Sequence, residues 1–289
     1  MYSFKVSISI GIPTYNCEST IQSTIESLIN QTYTDWVCVI SDNNSADSTV
    51  AIVDKLISGD SRFKLVVNNM NIGQANNFNN LVNFSQRDYF LILFSDDILC
   101  KDALSNLIEG ITSNDYAMCV GRRNVINQFG QVILRHKSKR SQSMSYTKAD
   151  VIRQFMNTGL NPFSEPSFVL FRNNLLSSVD GFSEEWSYMI DLDCYLKVLD
   201  FGNALLLESV VGYFRISKES WSSSIGKAQV NELKDFIDFL HMNDAVDPKI
   251  LFKAKIRVRI NSNINRGYVI FVNSWVVRVL FRSKFKIIH

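Results

Sequence analysis

Two adjacent carboxylates, Asp96 and Asp97, follow the apolar run Leu91-Ile92-Leu93-Phe94, with Ser95 between run and pair. Neighbouring residues of a strand point to opposite sides, so both carboxylates cannot enter a core without severe desolvation. At the end of a strand each can address a ligand. A hard cation such as Mg²⁺ or Mn²⁺ takes one or two protein carboxylates and completes its shell with phosphate oxygens and water. Such an ion would neutralise charge on a departing diphosphate. The same pair also suits a turn or a helix N-cap, where Asp is common. Other chemistries find less support. His136, His241 and His289 are scattered, with no Ser-His-Asp arrangement for a hydrolase. Cys17, Cys38, Cys100, Cys119 and Cys194 include no C-x-x-C pair, so neither zinc nor a disulfide framework is indicated, and a reducing cytoplasm fits.

The elements that must position the carboxylates are legible upstream. Val6, Ile8, Ile10 and Ile12 alternate with small or polar residues as a strand does, and Pro13 ends the run at a turn. Ile21, Ile25, Leu28 and Ile29 recur at helical spacing, and residues 36–40 read as a buried strand. The cycle repeats: a polar loop from Asp42 to Asp47, a helix through Val50, Val53, Leu56 and Ile57, and a strand from Phe63 to Val67. A helix through Ala75, Phe78, Leu81 and Val82 and a strand from Tyr89 to Phe94 complete it. Alternating strands and helices predict a parallel sheet covered on both faces, with ligands beyond the carboxyl ends of the strands. Gly121 to Lys148, weakly periodic and polar, reads as a hairpin and loop insertion, its basic stretch from Arg135 to Arg140 as a solvated face. A helix around 151–156, a strand at 167–171 and a helix over 191–199 follow, and the pattern turns helical from Lys227.

With 46% hydrophobic residues among 289, the chain can bury a full core. The net charge of +2 hides an asymmetry: residues 1–247 carry 20 Lys and Arg against 28 Asp and Glu, and the rest carry ten basic residues and no acidic one. A basic tail behind an acidic body points to an anionic partner. The run Tyr268 to Val277 is too short to span a bilayer, which needs about 20 apolar residues. With Phe271, Trp275 and Phe281 among basic flanks it suits a helix lying on an anionic membrane surface, or one packed on the domain or on a second copy in a homodimer. No nucleic-acid reading motif is present. The N-terminal residues lack the charged start and long apolar run of a secretory signal.

Four segments in order resemble the family 2 glycosyltransferases of the GT-A fold. They are Pro13-Thr14-Tyr15-Asn16, the stretch Asp42 to Thr49, Asn71-Ile72-Gly73 with Ala75 to Asn79, and Ser95-Asp96-Asp97. The resemblance implies an α/β fold with a Rossmann-like, mostly parallel sheet flanked by helices. It implies a domain over 1–225, with a nucleotide-binding half to residue 100 and an acceptor-binding half after it, and a helical basic extension over 226–289. It implies that Pro13, Thr14, Tyr15, Asn16, Asp42, Asn44, Asn71, Gly73 and Asn76 bind the nucleotide. Thr14 and Tyr15 would meet the base and Asp42 its ring nitrogen, Asp96 would face the ribose, and Asp97 would ligate Mn²⁺ or Mg²⁺. Many members have an acidic residue where Phe94 or Ser95 stands, so the ligand set is a shorter variant.

Downstream, Gly181 to Trp186 and then Asp191-Leu192-Asp193 resemble the family's glycine turn and acidic pair at a helix start. By that similarity Asp191 would be the general base of an inverting transfer, worth roughly 10²–10⁴-fold. Asp193 would serve the positive end of the helix. Residues 166–172 resemble the strand before the acceptor region, which makes Glu165, Arg172 and Trp186 acceptor candidates. The Gln-x-x-Arg-Trp signature of processive members is missing, and Tyr213-Phe214-Arg215 and Trp221 to Ser224 stand in that part of the chain. The implied activity is transfer of one sugar from a nucleotide-diphosphate sugar, a UDP-sugar first, to a saccharide acceptor. A lipid-linked acceptor at the cytoplasmic face of a membrane fits the tail. A nucleotidyltransferase would need a Gly-rich basic loop after the first strand, and residues 11–17 hold only Gly11. A dinucleotide oxidoreductase would need G-x-G-x-x-G there. A catalytically inactive nucleotide-sugar-binding module would not need both Asp97 and Asp191.

Overall fold

A computed structural model of the chain describes residues 6–137, 142–163 and 165–216, the helix Gly226–Asn243, with side chains from residue 231, and Ala254. The first half alternates as its sequence predicts: β1 (Ile8–Thr14), α1 (Ile21–Ile29), β2 (Trp36–Asp42), α2 (Thr49–Ile57), β3 (Phe63–Val67), α3 (Gln74–Asn83) and β4 (Tyr89–Ile92). The second half holds β5 (Ile98–Leu99), α4 (Ala103–Thr112), β6 (Met118–Asn127), β7 (Val132–Leu134), β8 (Met144–Tyr146), α5 (Lys148–Thr158), β9 (Val169–Arg172), α6 (Asn173–Ser178), α7 (Ile190–Val198), β10 (Ala204–Ile216) and α8 (Gly226–Asn243).

One sheet runs through the described residues in the order β3-β2-β1-β4-β9-β6-β10-β5, with β7 added to β6 and β8 to β10. Strands β1 to β4 are parallel, because each is reached by a helical crossover. Beyond β4 the sheet is mixed: β9 is antiparallel to both β4 and β6, and β10 is again parallel to β6. The segment from Gly121 read as an insertion is therefore corrected in part. Gly121 to Asn127 belong to an interior strand, and only the β6–β7 hairpin and β8 leave the central path. Its periodicity is weak because Arg122, Arg123 and Asn124 sit where a buried strand would carry apolar residues.

Apolar packing on the two faces fixes the strand ends. Ile8, Ile10, Ile12 and Leu91 pack on α1, α2 and α4, and Phe90, Ile92, Phe171 and Leu206 on α3 and α5 to α8. At Gly11 an added Cβ would lie 2.8 Å from the Cβ of Leu81, so glycine lets α3 close on β1. Helix α8 puts Leu233, Phe236, Ile237 and Leu240 into the same core as α7. Burial of a side chain such as Phe236 contributes about 1.5–3 kcal/mol, so α8 shares the core of the preceding residues. The rest of the basic extension, with the Tyr268 to Val277 run, lies outside the described residues. Among the described residues no helix is long and apolar enough to cross a membrane.

Candidate active site

The carboxyl ends of β1, β2 and β4 carry three of the four polar loops in question. Asp42 closes β2, is fully buried, and accepts from the Thr14 hydroxyl at 2.9 Å and the Ser45 hydroxyl at 2.6 Å on Oδ1. Its Oδ2 accepts from the Ser45 backbone N–H at 2.8 Å. Thr14 is buried with it. Thr14 and Asp42, expected to meet the base, are both buried, and their hydrogen bonds shape the loop. Asn16, with a left-handed φ of 47°, accepts from Ala46 N–H at 2.8 Å and donates its own N–H to Ser45 Oγ at 2.9 Å. Asn tolerates that conformation far better than a branched residue would.

The Asn71-Ile72-Gly73 turn is locked in the same manner. Asn43, which the sequence did not single out, is buried, donates from Nδ2 to Asn71 Oδ1 at 2.8 Å and accepts on Oδ1 from Ile72 N–H at 2.9 Å. Asn71 also accepts from Gly73 N–H, and Gly73 enters α3 at φ 86°. Side-chain exposure then separates roles. Tyr15, Asn44, Asn71 and Asn76 remain exposed around this mouth, with Tyr15 at 52% and Asn44 at φ 65°, while Pro13 is half-buried in the β1 end.

Past β4, Asp96 keeps accessible surface and Asp97 is fully buried. Asp97 Oδ1 accepts from Arg215 backbone N–H at 3.0 Å, while Oδ2 is enclosed without a hydrogen-bond partner. Burial above all, and then the charges of Asp96 and Glu165, hold the Asp97 carboxyl well above the ordinary carboxylate range, against hydrogen bonds from Ser167 and Arg215. Such an enclosed carboxylate, crowded by others, is one that a cation would relieve. Among the described residues no group of three or more His, Cys, Asp or Glu could hold a metal alone. The Asp96-Asp97 pair fits an ion that draws its remaining ligands from phosphates and water.

The acceptor side is built on charge. Glu165 stands before a 3₁₀ turn, Pro166–Phe168, and forms a two-pronged ion pair with Arg123, whose Nη2 donates to Oε1 at 2.7 Å and whose Nε meets Oε2. Burial alone would lower the Arg123 pKa, yet the Glu165 and Asp97 charges leave it raised. Arg215 donates from Nε to the Asp96 carbonyl at 2.8 Å and from Nη2 to Ser23 at 3.3 Å. Neither arginine was singled out in the sequence, because the acidic partners that place them, Glu165, Asp96 and Asp97, are distant in the chain.

Asp191 is the second residue of α7, half-buried, with Oδ1 enclosed and unpartnered. Burial first and the Glu165 charge second push its pKa up to about 8. Asp193 lies in the first turn of α7, as expected, and Glu232 adds to that helix start from α8: its carboxylate accepts the N–H of Tyr188 and, at 2.8 Å, of Met189. Asp193 also pairs with Lys197 one turn on at 2.7 Å. The glycine turn before α7 is clamped by Asn79, which donates to Phe182 O and accepts from Phe182 N–H, both at 2.8 Å.

Two acceptor candidates leave the site. Arg172 pairs with Tyr89 at the opposite end of β4 from Asp97, where its Nε donates to Tyr116 O at 2.6 Å and its Nη2 meets Asp115 at 3.0 Å. Antiparallel β9 carries it away from the carboxyl ends of the parallel strands. Trp186 is buried, its ring 5.0 Å from Phe236 and 5.7 Å from Phe239, so it anchors α8. Glu165 remains, its charge acting on both Asp97 and Asp191.

A family model described as Glycosyl transferase family 2 matches residues 9–179, more than half of the chain. The chain belongs to glycosyltransferase family 2. Among its relatives is the Escherichia coli "UDP-Glc:alpha-D-GlcNAc-diphosphoundecaprenol beta-1,3-glucosyltransferase WfgD", 28% identical over 80% of this chain and 87% of that one. A hyaluronan synthase of Pasteurella multocida is 27% identical over 80% of this chain but only 22% of its own length. A chondroitin synthase of the same species is likewise matched over 19% of its length, so the chain spans about a fifth of these two relatives. Solved structures agree on the fold. S. aureus TarS 1–349 in complex with UDP-GlcNAc superposes with a TM-score of 0.66 at 19% identity, over 98% of this chain and 77% of that one. Mannosyltransferase PcManGT from Pyrobaculum calidifontis, in complex with GDP-Man and Mn²⁺, gives 0.62 at 13%, over 99% and 77%. These family 2 and GT-A likenesses establish the mixed α/β architecture expected from the four N-terminal segments.

Proposed function

We propose that this chain is an inverting glycosyltransferase that moves one sugar from a nucleotide-diphosphate sugar to a hydroxyl of a saccharide acceptor in surface polysaccharide synthesis. The observation that carries the reading is Asp191: an enclosed, unpartnered carboxylate oxygen with a pKa near 8, set close enough to Glu165 to feel its charge. A base with its pKa near the working pH is the kind that accepts a proton effectively. Exposed Tyr15 would cover the base, with Asn44, Asn71 and Asn76 around the nucleoside, while buried Thr14 and Asp42 keep the loops in place. Asp96 and Asp97 would hold a divalent ion, Mn²⁺ or Mg²⁺, which when bound supplies charge neutralisation for the leaving diphosphate. Asp191 takes the proton of the acceptor hydroxyl as that oxygen attacks the anomeric carbon opposite the diphosphate. Burial above all, and then the charge of Glu165, which Arg123 holds in place, keep Asp191 basic.

UDP as carrier, and an acceptor linked through diphosphate to a polyprenol, are supported by the name of the E. coli relative and by that of a Campylobacter jejuni relative, "GalNAc(5)-diNAcBac-PP-undecaprenol beta-1,3-glucosyltransferase", 29% identical over 62% of this chain and 55% of that one. Such an acceptor would bring the protein to the inner face of the cell membrane as a peripheral protein. Transfer of one sugar per encounter rests on the stretch from Tyr213 to Ser224, which lacks the processive signature. The test is a panel of UDP- and GDP-sugars with lipid-diphosphate saccharides, read by product mass and anomeric configuration with and without Mn²⁺. One added residue of inverted configuration is expected, lost in Asp191→Asn and in Asp97→Ala. Transfer at wild-type rate in both variants would overturn the mechanism.

A further inference from the structure

Arg215, the last residue but one of β10, is buried and grips the Asp96-Asp97 turn twice. Its backbone N–H donates to Asp97 Oδ1 at 3.0 Å, and its side chain donates from Nε to the Asp96 carbonyl at 2.8 Å. The guanidinium is tied at its far end as well, from Nη2 to Ser23 Oγ on α1 at 3.3 Å and from Nη1 to the Asn127 carbonyl at the end of β6 at 3.4 Å. One side chain thus joins β10, the turn after β4, α1 and β6. Helix α1 also holds the next carbonyl, since the Thr24 hydroxyl donates to Asp97 O at 2.8 Å. Both backbone oxygens of the pair are therefore engaged, and Asp97 N–H closes the turn on Phe94 O at 3.1 Å. The oxygen left without a partner is Asp97 Oδ2. Burial lowers the Arg215 pKa, and the charges of Asp96 and Asp97 act against that. Enclosing a guanidinium carries a desolvation cost that a neutral donor to one carbonyl would avoid. What the arrangement achieves is to fix which Asp97 oxygen is spent on the protein and which is kept.

We propose that Arg215 is a positioning residue for the divalent ion: it holds the Asp96-Asp97 turn so that Asp97 spends Oδ1 on the β10 backbone and keeps Oδ2 for the metal. The proposal rests on the reading of that pair as the metal site. Removing a partner that orients a metal ligand typically costs about 10–100-fold in metal affinity. In the full chain with UDP present, Arg215→Met should raise the Kd for Mn²⁺, read from the paramagnetic resonance signal of the free ion, by about tenfold or more. Added Mn²⁺ should restore most of the lost transfer, so that the effect falls on the half-saturating metal concentration rather than on kcat, a split that general loosening of the fold would not produce. Arg215→Lys, which keeps the charge and one donor, should recover part of the affinity. Ser23→Ala releases the far end of the guanidinium without touching the turn, and should raise the Kd by about threefold, which keeps the test open if Arg215→Met does not fold. Unchanged Mn²⁺ affinity in these variants overturns the proposal. Tighter binding in Arg215→Met overturns it too, because the guanidinium would then be a charge opposing the ion. A wild type that binds no Mn²⁺ would overturn the metal reading itself, whereas unchanged affinity in the variants overturns only the role of Arg215.

Discussion

The donor-side loops and the acceptor-side centre are held in place by opposite means. Around Tyr15 the chain uses amides and hydroxyls: Asn16, Asn43, Ser45, Asn71 and Thr14 satisfy one another and the backbone, and the one enclosed carboxylate, Asp42, has both oxygens engaged. Around Asp191 it uses charge. Asp97, Glu165 and Asp191 crowd together, and the Arg123 guanidinium is the cation paired with Glu165. Satisfied neutral networks fix shape, whereas incompletely compensated buried charge stores a demand for a proton or a cation. The first suits recognition of a constant nucleotide, the second suits moving a proton and a diphosphate.

The sharpest way to break this comparison is at Asp191. Asp191→Asn should lower kcat by about 10²–10⁴-fold while leaving nucleotide affinity near wild type, read by steady-state kinetics and titration. In the wild type, activity should climb as pH rises toward about 8, where Asp191 ionises. Stability should run the other way. Between the ordinary carboxylate range and that pH, folded Asp191 keeps a proton that the unfolded chain has released, so the wild type loses stability as pH rises through this window. Chemical unfolding at pH 5 and pH 9 should show Asp191→Asn gaining on the wild type at the higher pH; parallel curves would mean the carboxyl is not perturbed.

Next in size is the Arg123–Glu165 pair. Arg123→Met leaves Glu165 partly buried without its cation and should cost about 3 kcal/mol, and Arg123→Met/Glu165→Leu should recover most of that. A double variant no more stable than Arg123→Met would show that the pair is not the unit of compensation. The smallest effect belongs to the neutral side. Asn16→Ala removes one accepted hydrogen bond and a side chain that tolerates φ 47°, and should cost about 1 kcal/mol with a raised KM for the donor and little change in kcat. Should the donor-side variant fall on kcat instead, the division of labour drawn above would be wrong.

Local pattern carried the first half of the molecule. Strict alternation of strands and helices up to Ile92 follows from periodicities that one segment displays by itself, and the polar loops at strand ends follow from that order. Asp96 and Asp97 stood out as candidate ligands because they end an apolar strand, and Asp191 as a candidate base because it follows the glycine turn at Gly181. Beyond β4 the chain pairs antiparallel strands of distant sequence, and no short-range period announces which strand meets which. Only the folded sheet therefore decided that Arg172 lies at the wrong end, that Trp186 packs on α8, and that Asp42 faces inward. It also decided that Arg123 pairs with Glu165, that Arg215 binds the Asp96 carbonyl, and that Glu232 reaches the start of α7. The physical reason is the same in each case: residue type and spacing fix what a side chain can do, while burial and charge neighbours brought together across the fold fix which of those things it does.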